Sequence, residues 1–288
     1  MIEVTARDGR TLRAYDVPVD DPVLTVVWHH GTPNVGTPPE PLLPASAVRG
    51  IRWVSYDRPG YGGSTPHPGR DVASAAGDVA AVADALGLDT FAVLGHSGGG
   101  PHALACAALL PERVTRTAVL VCFASPEAPG LEYFQGMNSG NTRDFAAAAV
   151  DPLRLAERLR RQAERTLRDP ESLLEQLEAE MAWPDRQVVQ DMAIRRLLAL
   201  AYRDALRGGP DGWIDDVLAL SHDWGFDLST IAGPVRMWHG EQDNFAPAGH
   251  TRWLARQIPH AELLVQSGAA HFGAVEILPS MLDWLATG

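Results

Sequence analysis

Three short segments of the chain carry side chains that together suit acyl-transfer chemistry. The first is Gly95-His96-Ser97-Gly98-Gly99-Gly100, which lies between an apolar run, Phe91 to Leu94, and an Ala/Leu-rich segment from His102 onward. The run reads as a buried strand and the segment as a helix. A serine at the apex of so tight a strand-to-helix turn is held strained with its hydroxyl exposed, and a Cβ at Gly95 or Gly99 would clash across the turn. The same turn sets Ser97 at a helix N-terminus, where unpaired backbone N–H groups and the macrodipole favour developing negative charge. Pro101 fits there, because a first-turn N–H has no intrahelical partner to lose.

A serine hydroxyl is a weak nucleophile until a base takes its proton, and that base has to be oriented by a third group. In a sheet of this kind the acid and then the histidine follow the serine along the chain. Two loops after apolar runs supply them: His239-Gly240-Glu241-Gln242-Asp243-Asn244-Phe245 and Ser267-Gly268-Ala269-Ala270-His271-Phe272. Asp243 is the expected acid, with Glu241 the nearest rival, and His271 is the expected base. Negative charge building on a carbonyl oxygen calls for backbone N–H donors. Gly98, directly after the serine, and Thr32, in the loop His30-Gly31-Thr32-Pro33, are the expected pair, since Pro33 has no N–H. Phe245 and Phe272 neighbour the acid and the base and are candidate walls of an apolar substrate pocket, with Tyr133, Phe134, Trp183, Trp213 or Trp224 as further aromatic candidates. His96 and His102 flank the serine and read as packing or pocket residues. His67, His222, His239, His250 and His260 read as surface or hydrogen-bonded structural histidines, and no cluster has zinc-like spacing, so neither metal nor cofactor is expected.

The elements that must position these groups follow from hydrophobic patterning. Ile2 to Ala6 and Thr11 to Asp16 flank an Asp8-Gly9 turn and read as a hairpin. Val23 to Trp28, Ile51 to Tyr56, Thr117 to Cys122, Pro234 to Trp238 and Leu263 to Gln266 are apolar, β-branched runs suited to a parallel sheet buried on both faces. Asp71 to Leu86 has helical spacing and stops at Gly87. Between residues 125 and 225 strand signals give way to helical ones: Asp151-Pro152 and Asp169-Pro170 pair an N-cap with proline at the first helical position, and further helices are expected over Asp185 to Arg207 and Asp211 to Leu220. Such an insert at the C-terminal edge of a sheet is naturally a lid. Its arginine-rich stretch, Arg154 to Arg168, reads as a solvated surface paired with Glu157, Glu164 and the acidic helix after it. The domain expectation is therefore a core of residues 1–125 and 226–288 and an all-helical cap of 126–225.

The net charge of −12 disfavours a nucleic acid partner, whose affinity comes largely from Lys and Arg. No apolar run reaches the length of a membrane span, and the first residues lack an export signal. A cytoplasmic monomer or homodimer acting on a small molecule is expected. Cys106 and Cys122 lie in apolar segments and read as reduced core residues.

Taken together, HGTP at 30–33, DRPGYGGS at 57–64, GHSGGG at 95–100, HGEQDNFAP at 239–247 and GAAHFG at 268–273 resemble the α/β-hydrolase superfamily. The resemblance covers residues 20–125 and 226–288 and implies a mostly parallel, twisted sheet flanked by helices, with a helical cap. Haloalkane dehalogenases and epoxide hydrolases of that superfamily carry aspartate where this chain has Ser97, so esters, thioesters, lactones or amides are favoured. The motif also lacks the Trp that usually follows the nucleophile in proline iminopeptidases. Hydrolysis of an ester or lactone of a small apolar molecule through an acyl-enzyme is the resulting expectation. The alternatives are an aminopeptidase or amidase on the same triad, which would recognise an amine through lid carboxylates such as Glu132 or Asp144, and a non-catalytic binding protein.

Overall fold

The computed structural model describes residues 1–287. Its eight strands are β1 (Ile2–Thr5), β2 (Thr11–Val17), β3 (Leu24–His29), β4 (Ile51–Tyr56), β5 (Phe91–His96), β6 (Val114–Leu120), β7 (Val235–Gly240) and β8 (Ala261–Gln266). They form one sheet in the order β1-β2-β4-β3-β5-β6-β7-β8. The β1–β2 and β2–β4 pairs are antiparallel and the rest parallel. Alternate residues of each central strand feed opposite faces, as the two-residue period of a strand requires. Val27, Val93, Val119 and Met237 join one apolar cluster with α2 (Ser74–Ala85), α3 (Gly99–Leu109) and α10 (Ala248–Gln257). Their chain neighbours Val26, Ala92, Ala118 and Trp238 join another, with Leu278, Met281 and Leu282 of α11 (Ala274–Leu285) and, at its margin, Leu43 of α1 (Leu43–Val48). This is the α/β architecture that the patterning leads one to expect.

The parallel strands carry the chemistry-bearing loops at their carboxyl ends. Over those ends, between β6 and β7, come α4 (Ser139–Val150), α5 (Pro152–Arg168), α6 (Ser172–Glu180), α7 (Trp183–Val189), α8 (Met192–Leu206) and α9 (Asp211–Leu220). Leu155, Leu159, Leu173, Leu174, Tyr202 and Trp213 of these helices build their own apolar cluster, which also takes in Tyr61 and Phe245 from loops of the sheet. Asp151 caps α5 through the Arg154 N–H at 3.1 Å with Pro152 behind it, as expected.

Several boundaries differ from the sequence reading, among them β6, which starts at Val114 and stops at Leu120, and α2, which starts at Ser74; three further differences lie in the helices. The stretch Asp185 to Arg207 is two helices, because Asp191 accepts from Ala193 and Ile194 N–H at 2.8 and 3.1 Å and so starts a new helix. Asp169 makes a tight turn onto the Glu171 N–H instead of capping, and α6 begins at Ser172. The helix after Ser97 opens at Gly99, ahead of the Ala/Leu run. The charge pairing on α5 also differs: Arg161 and Arg168 approach Glu157 and Glu164 within the helix, but Glu171 and Glu178 pair with Arg195 of α8.

Candidate active site

Ser97 follows β5 directly, in the turn, with a φ of +54°, a left-handed backbone that costs a non-glycine residue about 1–2 kcal/mol. The turn closes tightly. A Cβ on Gly95 would overlap the Gly99 carbonyl, and one on Gly99 would overlap the carbonyls of His29 and His30. Those two glycines are what let strand, turn and helix stack under the serine, as the motif requires.

Asp243 and His271 meet from neighbouring loops, after β7 and β8. His271 Nδ1 lies 2.7 Å from Asp243 Oδ2, while Asp243 Oδ1 accepts from the N–H groups of Phe245 and Ala246 at 2.8 and 3.1 Å. Burial alone would raise the Asp243 pKa, but the His271 imidazole and hydrogen bonds from His239 and His271 hold it well below the usual carboxylate range. For His271 the balance runs the other way: burial would lower its pKa, yet Asp243 and Asp185 raise it above the ordinary imidazole value. Glu241, the rival acid, projects into solvent with half its side chain exposed. His239 is fully buried, with Nε2 3.2 Å from Asp243 and Nδ1 2.5 Å from the Thr251 hydroxyl, which matches its structural reading.

Ser97 and His271 line one cavity of about 100 Å³ together with Thr32, Phe245, Phe272 and Trp213. The imidazole is 6% exposed and faces inward, although no hydrogen bond is closed between Ser97 Oγ and the ring among the described residues. Catalytic hydrogen bonds commonly tighten only when substrate binds. His96 packs against the His271 ring. Its ring stacks on Trp28 and meets the His271 ring edge-on at 5.3 Å, and burial and the charge of His271 push its pKa down to about 3, so it is a neutral wedge. Of the other aromatic candidates, Trp183 and Phe134 are exposed, while Tyr133 and Trp224 pack into the cluster under the sheet.

Thr32 and Gly98 face each other: a Cβ on Gly98 would run into the Thr32 side chain. Neither backbone N–H has a protein partner among the described residues, which leaves both donors open to a ligand beside Ser97. The loop that carries Thr32 is held by residues that motif reasoning did not single out. Arg58 donates to the carbonyls of His30 and Gly31 and to the Thr32 hydroxyl. Asp216 of α9, fully buried, accepts from Arg58 at 2.6 and 3.1 Å, from Arg70 at 2.5 Å, from Tyr61 at 2.9 Å and from the Thr32 hydroxyl at 2.5 Å. Burial works against the Asp216 charge, but the two guanidinium groups hold its pKa well below the carboxylate range. Removing one partner of a buried ion pair strands the others, so Asp216→Asn is expected to destabilise the fold by about 3–5 kcal/mol. Thermal and urea unfolding measure this, and a loss under about 1 kcal/mol would mean that the two arginines find other partners.

Among the described residues no group of three or more His, Cys, Asp or Glu side chains is placed to hold a metal ion, and no helix is long and apolar enough to cross a membrane. The two cysteines are buried and unpaired.

A family model described as alpha/beta hydrolase fold matches residues 25–276. The chain is similar to the dihydrolipoyllysine-residue acetyltransferase component of the acetoin cleaving system of Pseudomonas putida, at 29% identity over 229 residues, covering 78% of this chain and 52% of that one. It is also similar to a bifunctional esterase/perhydrolase of Acinetobacter calcoaceticus, at 34% identity over 125 residues, 43% of this chain and 45% of the relative. The chain thus spans about half the length of these curated relatives. In three dimensions it resembles a thermophilic esterase from Thermogutta terrifontis, with a TM-score of 0.71 and 21% identity over 99% of this chain and 97% of that one.

Proposed function

The chain belongs to the α/β-hydrolase fold family, and from that premise we propose that it is a serine hydrolase cleaving a carboxylic ester or lactone of a small, largely apolar molecule through an acyl-enzyme intermediate. The observation that carries this reading is the buried Asp243–His271 pair opening onto the same cavity as a serine held at positive φ. Asp243, ionised and with one oxygen fixed by two backbone N–H groups, keeps the Nδ1 proton of His271 in place and leaves Nε2 free to accept. Ser97 attacks the carbonyl as His271 takes its proton. The oxyanion forms against the N–H groups of Thr32 and Gly98, where each donor is worth about 3 kcal/mol. His271 then returns the proton to the leaving alcohol, and water, deprotonated by the same imidazole, releases the acyl group.

The helices between β6 and β7 act in this reading as a cap, residues 126–225, over a core of 1–125 and 226–288, with the substrate between them. A space of about 100 Å³ is smaller than the ~150 Å³ cavity that admits benzene in an engineered protein, so a short acyl group is favoured over a long chain. The apolar rings of Phe245, Phe272 and Trp213 suit such a group.

A fluorophosphonate probe tests the proposal. It should label the wild type and not Ser97→Ala, and the labelling rate should fall with decreasing pH through a pKa above the ordinary imidazole value, because only neutral His271 accepts the serine proton. Wild-type protein that resists the probe across pH 5–9, the range in which an imidazole titrates, would overturn the reading.

A further inference from the structure

The base is held from two sides. Asp243 grips its ring, while its backbone is held by Asp185, which comes from α7 in the helical segment that follows β6. Asp185 is completely buried, and its two carboxylate oxygens accept from consecutive peptide groups: Oδ2 from the His271 N–H at 3.2 Å and Oδ1 from the Phe272 N–H at 2.7 Å. Two adjacent N–H groups bound to one planar carboxylate fix the orientation of the peptide that carries the imidazole, which a single hydrogen bond would leave free to rock. We propose that Asp185 is a positioning residue for the general base, setting the backbone of His271 and adding a second negative charge behind its imidazole. The inference rests on the reading of Ser97, His271 and Asp243 as the catalytic groups.

The charge is a matter of geometry as well as of proximity. The titratable groups that face His271 are Asp243 from the loop after β7, Asp185 from α7 and His96 from β5, with His239 reaching it only through Asp243. His96 is neutral, so the two carboxylates are the charges that favour an imidazolium during proton transfer. Burial pushes Asp185 up to about 6, with Asp243 adding to the rise and His271 and the two peptide groups opposing it. At neutral pH the group is thus largely ionised, and its charge is present where it can favour the imidazolium. A second consequence is structural: His271 is correctly presented only while α7 lies against its loop, so the helical segment is part of the catalytic assembly as well as a cover.

The test is the pH dependence of short-chain p-nitrophenyl ester hydrolysis by Asp185→Asn and Asp185→Glu. The asparagine variant keeps the shape, but one of its atoms becomes a donor facing a donor, and the charge is gone. Its kcat should fall about 10–100-fold, as expected for a misaligned catalytic group, with KM within about twofold of wild type. The acid limb of kcat/KM should move to lower pH, since one of the charges raising His271 is lost. The glutamate variant keeps the charge on a longer arm, so kcat should fall while the acid limb stays near its wild-type position. A purely structural role would lower activity in both variants without moving the limb in the asparagine one, and that result overturns the proposal. Wild-type kcat in Asp185→Asn overturns it as well. Should Asp185→Asn fail to fold, Asp185→Ser, which also removes the charge but with a smaller side chain, is read in its place: reduced kcat with the acid limb moved to lower pH supports the inference, and an unmoved limb or wild-type kcat sinks it. Wild-type protein that is not labelled by the fluorophosphonate would instead bring down the catalytic reading itself, and the positioning role with it, so the two failures are told apart by the unmutated enzyme.

Discussion

Replacing Ser97 or His271 with alanine is expected to cost about as much as replacing both, on the order of 10⁶-fold in kcat for each single variant and for the double. The reason lies in how the groups depend on one another. The hydroxyl becomes a nucleophile only as its proton leaves, and the imidazole accelerates the reaction only if a nucleophile is there to deprotonate. Without the imidazole, Ser97 is an alcohol at the mouth of an apolar cavity. Without the hydroxyl, His271 faces substrate with no bond to form. What survives in every variant is the pair of free N–H groups of Thr32 and Gly98 and the binding walls, which should leave a residual rate about 10³-fold above the uncatalysed reaction. The check is a kcat series for both singles and the double on one activated ester. A double variant more than about tenfold slower than the slower single would mean that the two side chains act independently, contrary to the shared cavity in which the structure places them.

The groups of this site differ in how far the sequence alone reveals them, and the difference is physical. Ser97 is legible because its geometry is local: the glycines that allow the turn sit two residues to either side, and a Cβ on either one would overlap backbone of the turn or of the adjoining loop. Asp243 and His271 are legible because each follows a β-strand, and strand ends define a common edge before any contact is known. The two-residue alternation of Val26, Val27 and Trp28 likewise states which side chains face which layer. Asp185 and Asp216 carry no such mark. One lies 86 residues from the peptide it holds and the other 158 from the arginine it pairs with, and both contacts exist only because the helical segment folds back over the sheet. Helical periodicity tells which face of α7 or α9 is buried and not what it is buried against. Arg58 had a signal of another kind. It stands in a Gly- and Pro-rich turn where a long charged side chain has no obvious local partner, and a charge that ends up 1% exposed must find one elsewhere. In the helical segment, Asp191 starts a helix inside the expected Asp185 to Arg207 stretch and Asp169 makes a turn where a cap is expected: a short carboxylate can do either, and packing decides which.

Asp243→Asn should lower kcat by about 10⁴-fold while leaving the fold and the cavity intact, and the hydrogen bonds explain why the loss is so large for so small a change. Asp243 Oδ1 accepts from two backbone donors, Phe245 and Ala246, and Oδ2 faces His271 Nδ1 at 2.7 Å. An asparagine has one oxygen and one NH₂ group to place in those two positions. The oxygen must take the side with the two N–H groups, because the NH₂ there would oppose both donors and leave them unpaired in a buried site. The NH₂ is therefore aimed at His271, which can meet it only with an unprotonated Nδ1. That forces the imidazole proton onto Nε2, the nitrogen needed to accept from Ser97, so the base is present, buried and correctly placed in the wrong tautomer. The substitution also removes the carboxylate that raises the His271 pKa, so the small remaining activity should show an acid limb at lower pH than wild type. The control is Glu241→Gln, which alters a half-exposed side chain two residues away and should leave kcat within about twofold. Steady-state rates for the two variants side by side measure both effects, and full activity in Asp243→Asn would show that His271 takes its orientation from some other acceptor.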